Sequence, residues 1–307
     1  MKNNAKKLIA AILLVAMMLS FAGCGTKKSS AYDYLLEDFK DLELAKVTTK
    51  AEGVLAEVKK NGKLVIATSP DYPPAEWITE DGTVYGSEMM LAKYIADCLG
   101  VELVIETMDF NSTMLAADTG KTNIAISGYG WKADREESYE LSHGYIGDPD
   151  NEGYHTLICI AGEEDKYKSL EDFVGAHIIA QASSLQQMYV EDQILALDPS
   201  GNTELELVAQ LDQAILSLAS GKCDALALDS TTAKKYVAES GGKFALTGIK
   251  FDLTMYGVHE GNVILAKKGE TAMINAINEI IDFVMEKGYY EDFYMYARKK
   301  AGVDEDE

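Results

Sequence analysis

Positive charge is scarce in this sequence. Its 307 residues include 28 lysines and arginines against 50 aspartates and glutamates, a formal net charge of -22 at pH 7. A nucleic-acid-binding surface needs clustered positive charge, so we expect no nucleic-acid partner. A strongly acidic chain also repels its own copies, which favours a soluble monomer. The hydrophobic content of 47% is still sufficient for the cores of one large or two ordinary domains.

Cysteine and histidine are scarce too, with four residues of each type. No two cysteines form a Cys-x-x-Cys pair, and the histidines lack the spacing of metal ligands. Cys98 and Cys159 fall within apolar helix and strand patterns, which predicts small core residues rather than a disulfide framework. We therefore expect neither a metal nor any other cofactor.

The apolar run at the N-terminus is too short to span a membrane comfortably. Leu8–Phe21 has 14 residues and follows a positive segment that contains Lys2, Lys6 and Lys7. A membrane-spanning helix needs about 20 apolar residues. The pattern is typical of a signal peptide that is removed from the mature protein.

This signal ends in Leu19-Ser-Phe-Ala-Gly-Cys24, which resembles the lipobox of bacterial lipoproteins. The resemblance implies that residues 1–23 are removed and that Cys24 carries acyl chains, palmitate among them. More than one chain suffices for stable anchoring, here to the extracytoplasmic face of the cell membrane. Phe21 departs from the aliphatic residue that is usual at its place. The alternative is an ordinary secretory signal that is cleaved near Ala22.

Residues 24–60 are predicted to form a lipidated tether. Gly25-Thr-Lys-Lys-Ser-Ser30 is small and polar, as a flexible linker should be. The segments 32–44 and 54–60 have helical periodicity, but neither has a matching partner nearby in the sequence.

Strands and helices alternate after the turn signal Asn61-Gly62. The apolar pattern predicts, in order, Leu64–Ala67 (strand), Ser87–Leu99 (helix), Val101–Ile105 (strand), Asn111–Ala117 (helix) and Ile124–Ile126 (strand). This order predicts an α/β fold with a parallel sheet. Ligands of such sheets bind beyond the carboxyl ends of the strands.

A second α/β region follows an aperiodic passage, Gly144–Gly153. Its predicted strands cover residues 157–160, 176–180 and 225–228, and its helices cover 184–197, 211–219 and 231–239. The two regions share a motif. Gly120-Lys-Thr-Asn-Ile-Ala-Ile-Ser127 is matched 101 residues later by Gly221-Lys-Cys-Asp-Ala-Leu-Ala-Leu228. We therefore expect two similar lobes.

Ser127-Gly-Tyr-Gly-Trp-Lys-Ala-Asp-Arg135 is a candidate anion site. A glycine-containing loop between a strand and a helix presents backbone N–H groups, and Arg135 can bind a carboxylate through two hydrogen bonds. Tyr129 and Trp131 offer flat walls beside it. Two other interpretations remain. The pattern Gly128-x-Gly130-x-x-Ala133 is a degenerate match to the dinucleotide-binding fingerprint, and such matches are usually accidental. Arg135 could also belong to an ordinary solvated helix end.

Asp229 follows the second copy of the repeated motif, at the predicted carboxyl end of its strand. If the two lobes face each other, Asp229 and Arg135 meet across a cleft. A cation site opposite an anion site is the charge pattern of an α-amino acid. The alternative is that Asp229 caps the helix that begins at Ser230.

These motifs together resemble the polar-amino-acid type of bacterial extracellular solute-binding protein (family 3), the receptor of ABC importers. The resemblance extends from about Leu64 to Gly302. It depends on the order and spacing of Asp71-Tyr-Pro-Pro74, Gly86, Ser127-Gly128 with Arg135, Ser169-Leu-Glu-Asp172, Gly221–Asp229, Lys268-Gly269 and Lys287-Gly-Tyr289.

The resemblance implies a two-lobed periplasmic-binding-protein-like fold of type II. Lobe 1 would comprise residues 61–146 and 260–307, and lobe 2 residues 155–252, with hinge crossings at 147–154 and 253–259. The implied function is capture of an amino acid by lobe closure and its delivery to a permease that works with an ATPase subunit.

The resemblance also implies roles for single residues. Arg135 would bind the ligand α-carboxylate with help from the Gly128 and Ser184 regions, and Asp229 would bind the α-ammonium. Tyr72 would pack on the ligand side chain. The other candidate ligand-binding residues are Asp71, Trp77, Gly130 and Trp131.

Three departures from the family pattern concern these positions. Leu185 stands where a threonine usually contacts the carboxylate, Gly130 stands where serine or threonine is frequent, and Ala75 stands where an aromatic residue is frequent. Ser69 takes the place of the aspartate found in binders of basic amino acids, which disfavours a basic ligand. The nearby aromatic residues favour a large or apolar ligand side chain.

Two other functions are compatible with the same fold. Some relatives resemble dehydratases that act on cyclic amino-acid precursors, a reaction that needs a general acid such as Glu76 or Asp71. A sensory module would instead present its bound ligand to a separate signalling chain. We expect a binding protein rather than an enzyme, because we find no nucleophile elbow, paired histidines or metal motif.

Overall fold

The computed structural model of the chain describes residues 30–147, 153–256 and 261–303. The predicted signal peptide and Cys24 lie outside these residues. Within the described ranges, no helix combines the length and apolarity needed to cross a bilayer. Cys98, Cys159 and Cys223 are free thiols.

One lobe, which we call lobe 1, is built on a five-stranded sheet. Its strand order is β5 (Glu102–Thr107), β1 (Lys63–Thr68), β6 (Ile124–Ala125), β13 (Leu265–Lys267) and β7 (Tyr139–Leu141). Strand β1 is parallel to β5 and β6, whereas β13 is antiparallel to β6. A small second sheet contains β2 (Asp71–Tyr72), β3 (Glu76–Ile78) and β4 (Val84–Tyr85).

Helices cover this sheet and form the larger core. They are α1 (Gly53–Asn61), α2 (Ser87–Leu99), α3 (Phe110–Asp118), α4 (Ala133–Ser138), α8 (Thr271–Glu286) and α9 (Tyr289–Lys300). Helix α2 has the predicted bounds and ends at Gly100, which adopts φ of 72°. Helix α3 starts at Phe110, one residue before the predicted start at Asn111, and its cap is Asp109, whose carboxylate accepts the Ser112 N–H at 3.0 Å.

Lobe 2 is built on a sheet with the same arrangement. Its strand order is β10 (Glu204–Val208), β9 (His177–Gln181), β11 (Ala225–Asp229), β8 (His155–Ile160) and β12 (Phe244–Lys250). Its helices are α5 (Leu185–Gln193), α6 (Leu211–Ala219) and α7 (Ser230–Glu239). Strands β10 and β12 are absent from the sequence prediction. In β10 only Val208 is buried, so this edge strand has a weak apolar pattern.

The repeated motif forms equivalent strands of the two lobes. Strands β6 and β11 each occupy the third place in their sheet. Each is parallel to one neighbour, β1 or β9, and antiparallel to the other, β13 or β8. The antiparallel strands β8 and β13 are those that the chain enters after passing from one lobe to the other. Of the two predicted hinge crossings, 147–154 and 253–259, residues 148–152 and 257–259 lie outside the described residues.

The segment predicted as a tether packs on lobe 1 in several places, although its predicted helical stretch 54–60 does form a helix, α1. Leu35 is buried in the core of lobe 1, and Phe39 packs edge-on against Phe293 at 5.1 Å between ring centroids. The Thr49 hydroxyl donates to Glu279 in α8. These partners lie more than 200 residues away in the sequence, so no local pattern could indicate them.

The two lobes are in direct contact. Asp71 in lobe 1 accepts hydrogen bonds from Gln181 Nε2 at 3.1 Å and from the Leu211 N–H at 2.8 Å, both in lobe 2. On the other rim, Ser183 donates to Asn111 Oδ1 at 3.1 Å. The lobes thus enclose the space between the carboxyl ends of their parallel strands.

Candidate functional site

A cavity of about 710 Å³ lies between the two lobes. Residues of both lobes line it. They include seven of the nine predicted site residues: Tyr72, Gly128, Gly130, Trp131, Arg135, Ser184 and Asp229. The position agrees with the rule that ligands of α/β sheets bind at the carboxyl ends of the strands.

Arg135, the third residue of α4, is only 4% exposed and points its guanidinium into this region. Nη1 donates to Gly130 O at 2.6 Å and Nη2 to Ser183 O at 2.6 Å, so Arg135 bridges the lobes. In the described part of the chain no carboxylate forms an ion pair with it. Burial lowers the pKa of Arg135 because the charged form is desolvated. A buried cation without a counter-ion favours an anionic ligand.

The N-terminus of α5 lies on the same side of the cavity. Ser184 is its N-cap, and the Ser184 hydroxyl accepts the Gln187 N–H at 3.1 Å. Ser184 and the first two helical residues line the cavity. The first N–H groups of a helix have no partner inside the helix and carry partial positive charge. They add to the positive potential that Arg135 creates.

Asp229 lies across the cavity in lobe 2. As N-cap of α7, its Oδ1 accepts the N–H groups of Thr231 at 2.9 Å and Thr232 at 3.1 Å. Its Oδ2 is buried and has no hydrogen-bond partner among the described residues. The capping interpretation of Asp229 is therefore confirmed for one oxygen, and the other oxygen is left able to accept hydrogen bonds from a cation.

The charge of Asp229 shifts the pKa of two neighbouring side chains, Tyr72 and His155. Burial, and next the Asp229 charge, raise the pKa of the Tyr72 hydroxyl well above its usual range, so Tyr72 stays neutral. Burial lowers the pKa of His155, an effect that Asp229 partly offsets. The negative charge of Asp229 thus has no cationic side chain as counter-ion among these neighbours.

The Gly128 backbone does not face a ligand in the predicted way. Its N–H donates to Glu88 Oε2 at 2.7 Å, which removes it as an anion donor. Gly128 adopts φ of 60°, and a Cβ there would lie 2.8 Å from ring carbons of Tyr72. Glycine at this position therefore lets the Tyr72 ring lie flat against the loop, where it forms part of the cavity wall.

Three aromatic or acidic residues lie elsewhere than predicted. Trp77 is outside the cavity lining and packs on Tyr85 at 5.5 Å between ring centroids. Tyr129 is fully buried beneath Arg135, with its ring centroid 5.5 Å from the guanidinium carbon. Asp71 is likewise outside the lining, and its carboxylate joins the lobes. In β2 and β3 successive side chains alternate in direction, which the irregular sequence pattern of this loop does not reveal.

A pair of buried carboxyl groups lies behind the loop. Glu88 Oε1 accepts from Tyr145 at 2.8 Å and Asn262 at 3.0 Å, and Glu76 Oε1 accepts from Ser127 at 3.0 Å. Burial first, and then Glu88, raise the pKa of Glu76 well above its usual range. Glu76 is outside the cavity lining. Both general acids considered for a dehydratase, Glu76 and Asp71, are therefore separated from the cavity.

Sequence reasoning missed much of the aromatic lining. The additional aromatic side chains are those of Phe110, Tyr145, Tyr154, Tyr189, Tyr256, Tyr290 and Tyr294. They come from six separate parts of the chain. In the sequence they lie partly in helical patterns and partly in aperiodic passages, so no shared signal distinguishes them before the fold is known.

The chain belongs to the bacterial extracellular solute-binding proteins, family 3, whose family model matches residues 64–296. It is 23% identical over 237 residues to the L-cystine-binding protein TcyJ of Escherichia coli, covering 77% of this chain and 83% of that protein. An amino acid ABC transporter substrate-binding protein from Streptococcus pneumoniae, solved with L-arginine, has a TM-score of 0.71. It is 26% identical, and the match covers 81% of this chain and 98% of that one.

An enzyme is also among the similar proteins. Cyclohexadienyl dehydratase of Pseudomonas aeruginosa is 29% identical over 120 residues, 39% of this chain and 43% of that protein.

The family match and the structural similarity confirm the predicted fold. The described chain has the two-lobed, periplasmic-binding-protein-like α/β fold.

Proposed function

We propose that this protein is an extracytoplasmic receptor that binds an amino acid between its lobes and delivers it to the permease of an ABC importer. One observation carries the proposal. Arg135 and Asp229 lie in the lining of one cavity, on different lobes, and neither forms an ion pair with another described residue. An α-amino acid supplies the carboxylate and the ammonium that these two groups lack.

Closure follows from the division of charges between the lobes. Each lobe alone offers one of the two, and only the closed state pairs both, so the ligand shifts the population toward closure. Water is excluded at the same time, which strengthens the interaction of the carboxylate with Arg135. No catalytic step is part of this proposal.

The ligand side chain that we propose is large and uncharged. Among the described residues lining the cavity, Asp229 is the one acidic side chain, and the ligand's α-ammonium would bind to it. No carboxylate of the described lining is then left for a cationic ligand side chain. Aromatic rings form much of the remaining wall. L-Cystine, the ligand in the name of the E. coli relative, matches this description in size, but its distal half carries a second ammonium and carboxylate that would need polar partners. The guanidinium of L-arginine, present in the S. pneumoniae structure, would meet aromatic faces but no second carboxylate.

The lipoprotein assignment is also part of the proposal. Acyl chains on Cys24 would hold a monomeric receptor at the outer face of the cell membrane, and the family's extracellular role supports this location. Mass spectrometry of the mature N-terminus would test it: an unmodified start near residue 22 would contradict lipidation.

Tryptophan fluorescence tests the amino-acid proposal. The chain has two tryptophans, and Trp131 lines the cavity whereas Trp77 does not. Titration with each common amino acid and L-cystine should give a saturable change with one or a few of them. Trp131→Phe should lose the change and Trp77→Phe should keep it. Arg135→Ala should weaken binding by about thirtyfold or more, since loss of one buried charge partner costs about 2–5 kcal/mol. Binding within about threefold of wild type would contradict the role of Arg135.

A further inference from the structure

Gly130 in lobe 1 and Leu185 in lobe 2 are in contact at the cavity wall. A Cβ added to Gly130 would lie 2.4 Å from Leu185 Cδ1 and 3.3 Å from Leu185 Cγ. The first distance is far below a van der Waals contact, so the Leu185 side chain occupies the space that a side chain at position 130 would need. Both residues line the cavity.

The backbone gives no other reason for glycine at position 130. Gly128 adopts φ of 60°, but Gly130 is not among the described residues with positive φ. An alanine or serine could adopt its conformation without strain. The neighbouring Gly128 is different, because its φ and the ring of Tyr72, in the same lobe, both exclude a side chain. What keeps position 130 free of a side chain is therefore the opposite lobe.

The contact adjoins the proposed anion site. Gly130 O and Ser183 O accept the two hydrogen bonds of Arg135, at 2.6 Å each. Ser183 holds φ of 65°, a conformation that is rare outside glycine and that directs this turn toward lobe 1. Leu185 follows it by two residues, so the apolar contact and the Arg135 bridge form or break together.

We propose that Gly130 and Leu185 are a size-matched interlobe pair that determines how far the lobes close and hence the affinity of the site for its ligand. The proposal rests on the amino-acid-binding function for its ligand part only. A side chain at position 130 would hold the lobes apart, because turning Leu185 Cδ1 away still leaves Leu185 Cγ 3.3 Å from the added Cβ. A wider separation of the lobes opposes ligand binding, and shortening Leu185 removes the conflict.

The two departures from the family pattern are then one change. The usual hydroxyl side chains at both positions are replaced together by a glycine and a leucine that fill the same space. The wall beside Arg135 becomes apolar, which leaves Arg135 and the N-terminus of α5 as the groups that bind the carboxylate.

The first test measures closure without any ligand. Cysteines replace Asn111 and Ser183, whose side chains meet across the lobes at 3.1 Å. The rate of disulfide formation between them is followed by mass spectrometry of the linked peptide in the full chain. We expect Gly130→Ala to slow this rate about fivefold or more, and the pair Gly130→Ala with Leu185→Ala to restore it to within about twofold.

Gly128→Ala is the matched control. Because its conflict lies within lobe 1, it should lower the melting temperature of the protein, and Leu185→Ala should not reverse that loss. An unchanged cross-linking rate in Gly130→Ala, or no recovery in the double variant, would overturn the proposal. Failure of the two cysteines to cross-link in the otherwise unchanged chain would overturn it as well, because the lobes would then not meet at this rim.

The second test uses the common L-amino acids and L-cystine as probes. If one of them binds the wild type, Gly130→Ser should weaken it about tenfold or more, and adding Leu185→Thr should recover affinity to within about threefold. Equal weakening in the single and double variants would contradict the size match. If no probe binds the wild type, the amino-acid proposal fails while the cross-linking result still decides the interlobe pair.

Discussion

At the scale of single residues, Asp229 combines two tasks that can be separated. One oxygen caps α7 and the other is buried without a partner in the described chain. Asn keeps a capping oxygen but removes the charge, whereas Ala removes both. The pair of substitutions therefore distinguishes a structural role from recognition of an ammonium group.

We expect Asp229→Asn to weaken ligand binding by about thirtyfold or more with little change in melting temperature. Asp229→Ala should weaken binding similarly and also lower the free energy of unfolding by about 1 kcal/mol through loss of the cap. Calorimetric titration and thermal unfolding check both. Wild-type affinity in Asp229→Asn would leave Asp229 as a cap alone.

Glu76 predicts a specific pH dependence of stability. Its pKa is raised in the folded protein by burial and by Glu88. Above the ordinary pKa of a glutamate the unfolded chain loses this proton while the folded chain keeps it, so the contribution of Glu76 to stability falls as pH rises toward the folded pKa. Glu76→Gln is uncharged at every pH and keeps an oxygen that can accept from Ser127.

We expect Glu76→Gln to reduce the loss of stability between about pH 5 and pH 9 and to be at least as stable as wild type at the alkaline end. Urea unfolding at a series of pH values measures this. Glu80→Gln, an exposed glutamate in the same hairpin, is the control and should leave the slope unchanged. If the free energy of unfolding of Glu76→Gln changes with pH as steeply as that of the wild type, Glu76 is ionised in the folded state throughout this range.

At the scale of elements, the segment before α1 is part of lobe 1 rather than a linker. Its Leu35 is 1% exposed, whereas Leu44 in the same segment is 45% exposed. Leu35 packs with the core that α2 and α9 share, and Tyr94 of α2 donates its hydroxyl to Glu43 O. The five residues that follow Cys24, 25–29, lie outside the described structure.

Leu35→Ala should lower the free energy of unfolding by about 2–5 kcal/mol, because it leaves a cavity in the core. Leu44→Ala removes the same atoms from an exposed position and should change it by no more than about 0.5 kcal/mol. Urea unfolding compares the two. Equal small effects would mean that this segment is detached in solution, as a tether would be.

At the scale of the whole molecule, the contact between the lobes depends on a few polar groups. Asp71 accepts from Gln181 and from the N-terminal N–H of α6, and so joins lobe 1 to the positive end of a lobe 2 helix. Because Asp71 lies outside the cavity lining, its effect on binding is expected to act through closure rather than through ligand contact.

Asp71→Ala should therefore increase the radius of gyration of the unliganded protein and weaken ligand binding by about tenfold, through loss of hydrogen bonds to a charged group. Small-angle scattering and titration measure these changes. Asp81→Ala is the control, since Asp81 bonds only within its own hairpin to Thr79 and Thr83 in the interactions described here. An unchanged radius together with wild-type affinity would remove Asp71 from the closure mechanism.

Much of this architecture could be predicted from the sequence because its causes are local. The apolar period of Ser87–Leu99 and the glycine after it define α2, and the repeated Gly-Lys motif marks equivalent strands in two lobes. Arg135 and Asp229 could be singled out because each follows a buried strand of such a repeat. Residues at the ends of parallel strands meet at one edge of a sheet whatever the rest of the fold does.

Other features depended on contacts between distant parts of the chain. The tertiary structure alone decided that Trp77 packs within lobe 1, that Asp71 bonds to the opposite lobe, that Leu35 is buried in the core of lobe 1, and that Leu185 fills the space beside Gly130. Sequence periodicity reports which face of an element is apolar, but it does not report which element covers that face. The sequence by itself thus determined most of the elements, the two-lobed plan and the opposite charges of the candidate site, whereas packing within and across the lobes decided the walls and the closure of the cavity.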